Sequence, residues 1–238
     1  MRNTVFISDL HLSADQPKIT ELFLNFLANG LGDAESLYIL GDFFALWVGD
    51  DYVSLLSEKI KSALKKLTIP VYLMPGNRDF IIGKIFAKDT GATLISDPHL
   101  IDLYGKSTLL THGDILCTAD YIQRIFRYCV QGHFARKLFL KLSLKVRLKL
   151  ADFVRKFSAR NNKRKSVQLM DVSQKEVRKL MELYKAALII HGHTHKAGVY
   201  GLNFDGEVYQ RIVIPNWLPE HGGFLRYYEN GTFEFVDV

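Results

Sequence analysis

Aspartate, asparagine and histidine cluster in this chain at one kind of place, the end of an apolar run. Val5-Phe6-Ile7-Ser8 leads into Asp9-Leu10-His11, and Tyr38-Ile39-Leu40 into Gly41-Asp42. Tyr72-Leu73-Met74 leads into Gly76-Asn77-Arg78-Asp79, Leu109-Leu110-Thr111 into His112-Gly113-Asp114, and Leu188-Ile189-Ile190 into His191-Gly192-His193-Thr194-His195. A lone Asp-x-His, Gly-Asp or Asn-Arg-Asp is ordinary turn chemistry. Five such clusters in order, with the imidazoles of the last one packed after a buried strand, point to metal ligation. The candidate ligands are Asp9, His11, Asp42, Asn77, His112, His193 and His195, a set of oxygen and imidazole donors without thiolate. Seven side chains exceed the needs of one ion, whereas two ions about 3.5 to 4 Å apart, sharing a carboxylate and a hydroxide, accommodate them. Such donors suit Mn²⁺, two per chain, with Fe²⁺, Zn²⁺ and Co²⁺ as alternatives. His191 and Asp114 are expected to orient the ligands from behind. His99, His133 and His221 lack this setting and read as structural or surface residues.

The elements that must position these groups are legible from periodicity. Strands are expected at Thr4 to Ser8, Ser36 to Leu40, Val71 to Met74, Leu100 to Leu103, Ser107 to Thr111 and Ala187 to Ile190. Helices are expected near Pro17 to Asn29, Tyr52 to Lys66 and Ser173 to Tyr184. In the first helix Pro17 suits the opening turn, and Ile19, Leu22, Phe23, Phe26 and Leu27 form one apolar stripe that Gly30 and Gly32 bring to a stop. Asp205-Gly206 and Asn230-Gly231 mark two hairpins in a β-rich tail. The alternation reads as an α/β fold, in which ligands gather at the C-terminal ends of strands. If the chain stays extended there, Asp9 and His11 project to the same side, as do His193 and His195.

The chain has 238 residues, 48% of them hydrophobic and 24% charged, which suits one large domain or a domain carrying an insertion. Disordered, collagenous and coiled-coil classes are excluded. No signal peptide or membrane span is expected, and Cys117 and Cys129 fit neither a disulfide framework nor a zinc knuckle, so a reducing, cytoplasmic setting is expected. The net charge of +6 is unevenly spread. Residues 121–165 hold fourteen Lys and Arg against the single anion Asp152, leaving 17 cations and 24 anions elsewhere. Such a block should face an anionic partner. Leu140, Leu142, Leu144, Val146, Leu148 and Leu150 alternate with polar residues as in a strand. The composition, rich in Leu, Lys and Arg and free of Pro, nevertheless predicts a helix. Its apolar residues would then surround the whole circumference, needing partners on more than one side, whether neighbouring helices or a ligand.

The ordered motifs resemble the calcineurin-like binuclear metallophosphoesterases from Asp9 to His195. Ile39-Leu40-Gly41-Asp42-Phe43-Phe44, Trp47-Val48-Gly49-Asp50-Asp51, Pro75-Gly76-Asn77-Arg78-Asp79-Phe80, His112-Gly113-Asp114 with Leu116-Cys117-Thr118, and Met170-Asp171-Val172 are similar to the lipid A branch of that family. Many relatives carry His after the Gly-Asn pair, whereas this chain has Arg78, as that branch does. The chain departs from the pattern at Ala45 and Ala119, neither of which belongs to the candidate ligand set.

The resemblance implies a four-layer αββα sandwich with a helical lid insertion. The core would comprise residues 1–119 and 166–238, and residues 120–165 would form a basic amphipathic lid. It implies an enzyme, a Mn-dependent hydrolase that splits the diphosphate of UDP-2,3-diacylglucosamine into UMP and 2,3-diacylglucosamine 1-phosphate by a dinuclear-metal-activated hydroxide, in lipid A biosynthesis. Asp9, His11, Asp42 and His195 would hold the first Mn²⁺, and Asp42, Asn77, His112 and His193 the second. Arg78, Asp42, Asn77 and His112 would be catalytic. Asn77, Arg78, Asp120, Ser158, Asn162, Lys165 and His193 would contact substrate, with the 158, 162 and 165 spacing placing three of them on one helical face. A lipid-linked nucleotide needs cations for its phosphates and apolar surface for its acyl chains, which fits the basic insert. The implied location is the cytoplasmic face of the inner membrane, in peripheral contact with its anionic surface.

Two other readings remain open at this stage. One is a nuclease or cyclic-nucleotide phosphodiesterase using the insert to grip nucleic acid. Aromatics interleaved with the cations would favour it, and Phe126, Tyr128, Phe134, Phe139, Phe153 and Phe157 keep it open, but the insert favours Leu over aromatics, so no nucleic-acid partner is expected. The other is a non-catalytic membrane-binding module, which has no need of seven ligand-type side chains.

Overall fold

A computed structural model of the chain describes residues 1–117, 132–162, 172–204 and 206–238, with only the backbone of residues 133 and 155–162. Two sheets stack face to face. The first contains β1 (Asn3–Ile7), β2 (Ser36–Leu40), β3 (Val71–Met74), β4 (Thr93–Leu94), β10 (Gly223–Tyr228) and β11 (Phe233–Asp237), in the order β11-β10-β1-β2-β3-β4. The second contains β5 (His99–Leu103), β6 (Lys106–Thr111), β7 (Leu188–His191), β8 (Gly198–Phe204) and β9 (Glu207–Val213), in the order β5-β6-β7-β9-β8. The expected hairpins join β8 to β9 and β10 to β11, both antiparallel.

Alternation along the strands builds the layers. Val5 and Ile7 of β1, Leu37 and Ile39 of β2, and Val71 and Leu73 of β3 face a core shared with α1 (Pro17–Asn25), α2 (Leu55–Lys65) and α3 (Lys84–Thr90). Phe6, Leu40 and Met74 point the other way and meet Leu110, Leu188 and Ile190 of the second sheet. Leu109 and Ile189 complete the pattern, packing with Val177 and Met181 of α6 (Gln174–Tyr184). Period-two side-chain placement thus gives helix, sheet, sheet, helix, the expected sandwich.

Parallel pairing decides where the polar clusters fall. β1, β2 and β3 run parallel with Ile7 beside Ile39 and Leu40 beside Met74, so Asp9, Asp42 and Asn77 emerge along one edge. β6 and β7 run parallel with Thr111 beside His191, delivering His112 and His193 at the corresponding edge of the second sheet.

Several elements differ from their expected form. α1 ends at Asn25 and passes into a π-helical turn, Phe26–Gly30, in which the Phe26 ring turns into the core and Gly30 leaves it the room that a Cβ, 2.7 Å from the ring, would take. α2 begins at Leu55, where Ser54 caps it: Ser57 N–H donates to Ser54 Oγ at 3.0 Å and Ser54 N–H to Ser57 Oγ at 2.9 Å. α3 lacks a local cap, and its signal in the sequence is correspondingly faint. Its first N–H groups are taken by Asp50, whose carboxylate accepts from Gly83 at 3.0 Å and from Ile85 and Phe86 at 3.1 Å. The single helix expected over residues 140–150 is two, α4 (His133–Leu140) and α5 (Leu144–Asn162). The turn between them is closed by Arg147, whose Nε donates to Leu142 O at 3.1 Å.

An aromatic chain underlies the edge where the clusters emerge. Phe23 meets Phe43 at 5.3 Å and Trp217 at 6.2 Å, Phe26 meets Phe224 at 5.0 Å, and Phe44 bridges Phe43 and Trp47 at 4.8 and 4.6 Å. Edge-to-face and tilted pairs of this kind add to the effect of burial alone. Phe23→Ala is expected to lower stability by about 3 to 5 kcal/mol in urea unfolding, and a loss below about 1 kcal/mol would show that this chain of rings does not carry the packing.

Candidate metal centre

The loops after the strands are tied to each other before any ligand is considered. Asp9 N–H donates to Gly41 O at 3.1 Å, His11 N–H to Asp42 O at 2.9 Å and Leu12 N–H to Phe43 O at 2.9 Å. Across the second sheet Gly192 N–H donates to His112 O at 3.0 Å. Asp79, fully buried, accepts from Gly76 N–H at 2.7 Å, Phe43 N–H at 2.8 Å and Phe44 N–H at 3.1 Å, so one carboxylate joins the Asn77 and Asp42 loops. Gly192 leaves room that a Cβ would fill, since it would lie 2.7 Å from Ser8 Cβ.

The backbone at these residues is not extended. Asp9, His11, Asp42, His193 and His195 all take left-handed conformations, with φ of 56°, 50°, 50°, 66° and 55°. The expectation that strand alternation aligns Asp9 with His11 and His193 with His195 is therefore corrected. Sharp left-handed turns aim these side chains. Such conformations cost about 1 kcal/mol or more for residues other than glycine and concentrate at functional sites.

The turns bring the side chains together. His195 Nε2 lies 3.4 Å from Asp9 Oδ1 and His11 Nε2 lies 4.0 Å from it. His11 Nδ1 is 3.8 Å from Asp42 Oδ2, and His112 Nε2 is 3.6 Å from Asp42 Oδ1. The His112 and His193 rings meet edge to face at 5.0 Å. Ligand-type atoms of Asp9, His11 and His195 lie within 4.8 Å of one another, as do those of Asp9, Asp42 and His112. Asp9 belongs to both groups. Asp42 is additionally held by the Arg78 N–H at 2.8 Å, and Asp9 by the His193 N–H at 2.7 Å.

The electrostatics favour a cation. Burial, reinforced by Asp9 and opposed by His112, pushes the Asp42 carboxyl up to about 6. Burial disfavours the imidazolium of His112, yet Asp42, Asp9 and Asp114 outweigh it and raise that group to about 9. Burial would raise Asp9 too, but His195, His112 and His11 hold it well below the usual carboxylate range. Burial lowers His11 and His193 to about 4, leaving their lone pairs free of protons at neutral pH. Asp9 Oδ1, Asn77 Oδ1 and His112 Nε2 are buried without a hydrogen-bond partner. Orphaned buried oxygen acceptors beside paired carboxylates, with a His112 Nε2 that would ligate once an ion displaced its proton, are what a bound divalent ion would satisfy, so the residues fit a metal pair.

Behind the ligands, His112 Nδ1 lies 3.0 Å from Leu40 O, which sets Nε2 toward Asp42. His191 is buried, with Nδ1 2.8 Å from Gly192 O and Nε2 3.1 Å from Arg211 Nη1, and burial lowers it to about 3. Asp114 is buried at the turn after His112. Arg78 is half-buried beside Asp42. Asp120 and Lys165 lie outside the described residues, as do Met170 and Asp171. Positions 158 and 162 lie on α5, whose side chains there are also outside the description. His99 is half-buried on β5, and His221 is exposed.

Sequence reasoning gave no role to Asp79, Asp50 or Arg211. Asp79 was visible only as the end of Asn-Arg-Asp, and beyond the nearby Trp47 indole the partners of Asp50 lie 33 to 36 residues away and the His191 that Arg211 meets lies 20 away, where no local pattern points.

A family model described as calcineurin-like phosphoesterase matches residues 2–197. The chain is 45% identical over 237 residues to a protein of Coxiella burnetii named UDP-2,3-diacylglucosamine hydrolase, covering 98% of this chain and 97% of that one. Proteins of the same name from Haemophilus ducreyi and Haemophilus influenzae are 44% and 41% identical, with 99% of this chain covered in each case and 100% and 99% of theirs. A match across all five metal-type clusters, and identity of 41–45% over nearly the whole chain, place the chain in the calcineurin-like phosphoesterase family.

Proposed function

We propose that this chain hydrolyses the diphosphate of UDP-2,3-diacylglucosamine, giving UMP and 2,3-diacylglucosamine 1-phosphate in lipid A biosynthesis. The observation that carries the reading is the pair of ligand clusters sharing Asp9, in a chain whose insert exposes both apolar and cationic side chains. The names of the relatives at 41–45% identity support it.

Asp9, His11, Asp42 and His195 would hold one divalent ion, and Asp42, Asn77, His112 and His193 the other. Manganese suits these donors. Such ions supply Lewis acidity toward a phosphoryl oxygen and acidify water. The rest falls to the chain. Arg78 clamps the diphosphate through its guanidinium fork while its own N–H holds Asp42. Asp79 and the Leu40 carbonyl keep Asp42 and His112 in place. Water adds across the P–O–P linkage at the UMP phosphorus, the bond to the bridging oxygen breaks, and that oxygen leaves with the sugar phosphate.

The insert, residues 120–165, serves as the lid in this reading, with Asp120, Ser158, Asn162 and Lys165 reaching the substrate. On α4 and α5, Phe134, Leu138, Leu140, Val146, Leu150 and Phe153 are exposed, and Lys137, Lys141, Lys145 and Lys149 stand exposed among them. Apolar side chains interleaved with lysine fit acyl chains and an anionic lipid surface, and we place the protein peripherally on the cytoplasmic face of the inner membrane. No helix among the described residues is long and apolar enough to cross a membrane.

The deciding assay measures Mn²⁺-dependent release of UMP from the lipid nucleotide beside cleavage of single-stranded DNA and bis(p-nitrophenyl) phosphate. The lipid nucleotide is expected to give the highest kcat/KM, and faster cleavage of DNA would replace this reading by a nuclease. Asp42→Asn and His112→Ala are each expected to lose about 10²-fold or more in turnover and to bind less metal while the far-UV circular dichroism stays native. Near-normal activity in either would remove these residues from the centre. Arg78→Ala should cut turnover by about tenfold or more with metal content unchanged, whereas metal loss in step with activity would deny Arg78 its phosphate role.

A further inference from the structure

The fourteen cations of the insert are not all directed outward. Among the residues of α4 and α5 whose burial is described, Arg147 is the single buried side chain, 3% exposed. Its guanidinium crosses to the loop after β2 and is used on both sides. Nη1 donates to Val48 O at 2.6 Å and to Asp51 Oδ1 at 2.8 Å, Nη2 pairs with Asp51 Oδ2, and Nε closes the α4–α5 turn on Leu142 O. The fork holds the Asp51 carboxyl below its usual range. Gly49 makes the approach feasible. Its φ is +137°, and a Cβ there would run into Arg147 Nη1 and sit 2.6 Å from Asp51 Oδ1 and 3.0 Å from Leu140 Cδ2.

The receiving loop is itself fixed to the metal-side loops. Asp50 takes the Trp47 indole N–H at 3.0 Å as well as the N-terminus of α3, and Trp47 N–H donates to the carbonyl of Arg78 at 3.4 Å. A short path of hydrogen bonds therefore runs from α5 through Arg147, residues 48–51 and Trp47 to the backbone of Arg78. Residue 158 lies eleven positions further along α5, about 16 Å by helical rise, so a tilt of about 10° pivoting at Arg147 moves that point by about 3 Å. Misplacement of about 1 Å already costs heavily in positioning.

We infer that Arg147, through its fork on Asp51 and Val48, is the positioning residue that sets the insert over the metal centre and thereby fixes affinity for the lipid part of the substrate. The inference rests on the proposed lipid-nucleotide substrate. It assigns Arg147 no contact with the reacting atoms.

The test compares the wild-type protein with Arg147→Ala, Arg147→Lys and Asp51→Asn, the last altering only the more exposed partner. Three readouts are taken in Mn²⁺: KM and kcat for UMP release from the lipid nucleotide, kcat/KM for bis(p-nitrophenyl) phosphate, and amide hydrogen exchange over residues 133–154. Arg147→Ala is expected to raise the lipid-nucleotide KM by about tenfold or more, to leave the small diester within about twofold, and to speed exchange across α4 and α5 alone. Asp51→Asn should show a smaller effect of the same pattern. Arg147→Lys, which keeps the charge and loses the fork, should restore little. Unchanged KM and unchanged exchange overturn the inference, and so does a parallel fall with both substrates, which marks a general loss of structure. If wild type cleaves the small diester and not the lipid nucleotide, the substrate reading fails, and the exchange data alone then decide whether Arg147 holds the insert.

Discussion

Two carboxylates, Asp9 and Asp42, are buried within reach of the same imidazoles, and the surrounding structure is organised to tolerate that. Water is largely excluded and like charges are close, so the ionised pair is costly unless positive charge is supplied. The carboxylates pull the His112 imidazolium up against the effect of its burial, which registers that demand. A pair of divalent ions would meet it. The demand explains why so much backbone converges here. N–H groups of Arg78 and His193 are aimed at the two carboxylates, and a third buried carboxylate, Asp79, is satisfied by three N–H groups of its own.

The layers were legible because each central strand carries its instructions in alternation. Val5, Phe6 and Ile7 face two different cores, and the same holds for Leu109 and Leu110. The candidate ligands were legible for a related reason, since each follows an apolar run and parallel pairing then needs no further information to collect them at one edge. What escaped the sequence was non-local. The start of α3 is capped by Asp50 from more than thirty residues upstream. The break between α4 and α5 depends on Arg147 folding back onto Leu142, a contact that alternation of Leu and Lys does not announce. The left-handed turns also escaped it, because Asp and His tolerate that region without advertising it as glycine does.

The insert shows the two uses of arginine and lysine side by side. Lys137, Lys141, Lys145 and Lys149 keep their charges in solvent among exposed apolar neighbours. Arg147 instead gives up hydration, which a planar guanidinium does more readily than an ammonium, and in return satisfies two backbone carbonyls and a carboxylate at once. A count of net charge treats all fourteen cations alike. Among the described residues the structure separates these outward-facing lysines from Arg147, which joins the helices to the core.

The φ values at Asp9, His11, Asp42, His193 and His195 carry a lesson for anyone wishing to transplant this centre onto another scaffold. Copying residue identities onto ordinary strand ends would scatter the donors, because their convergence is written in dihedral angles as much as in chemistry. Valine, isoleucine or threonine at those five points would be penalised by the main chain before any lost ligand was counted, whereas asparagine accepts the geometry. Portability of the motif is therefore a question of turn architecture first and of ligand type second.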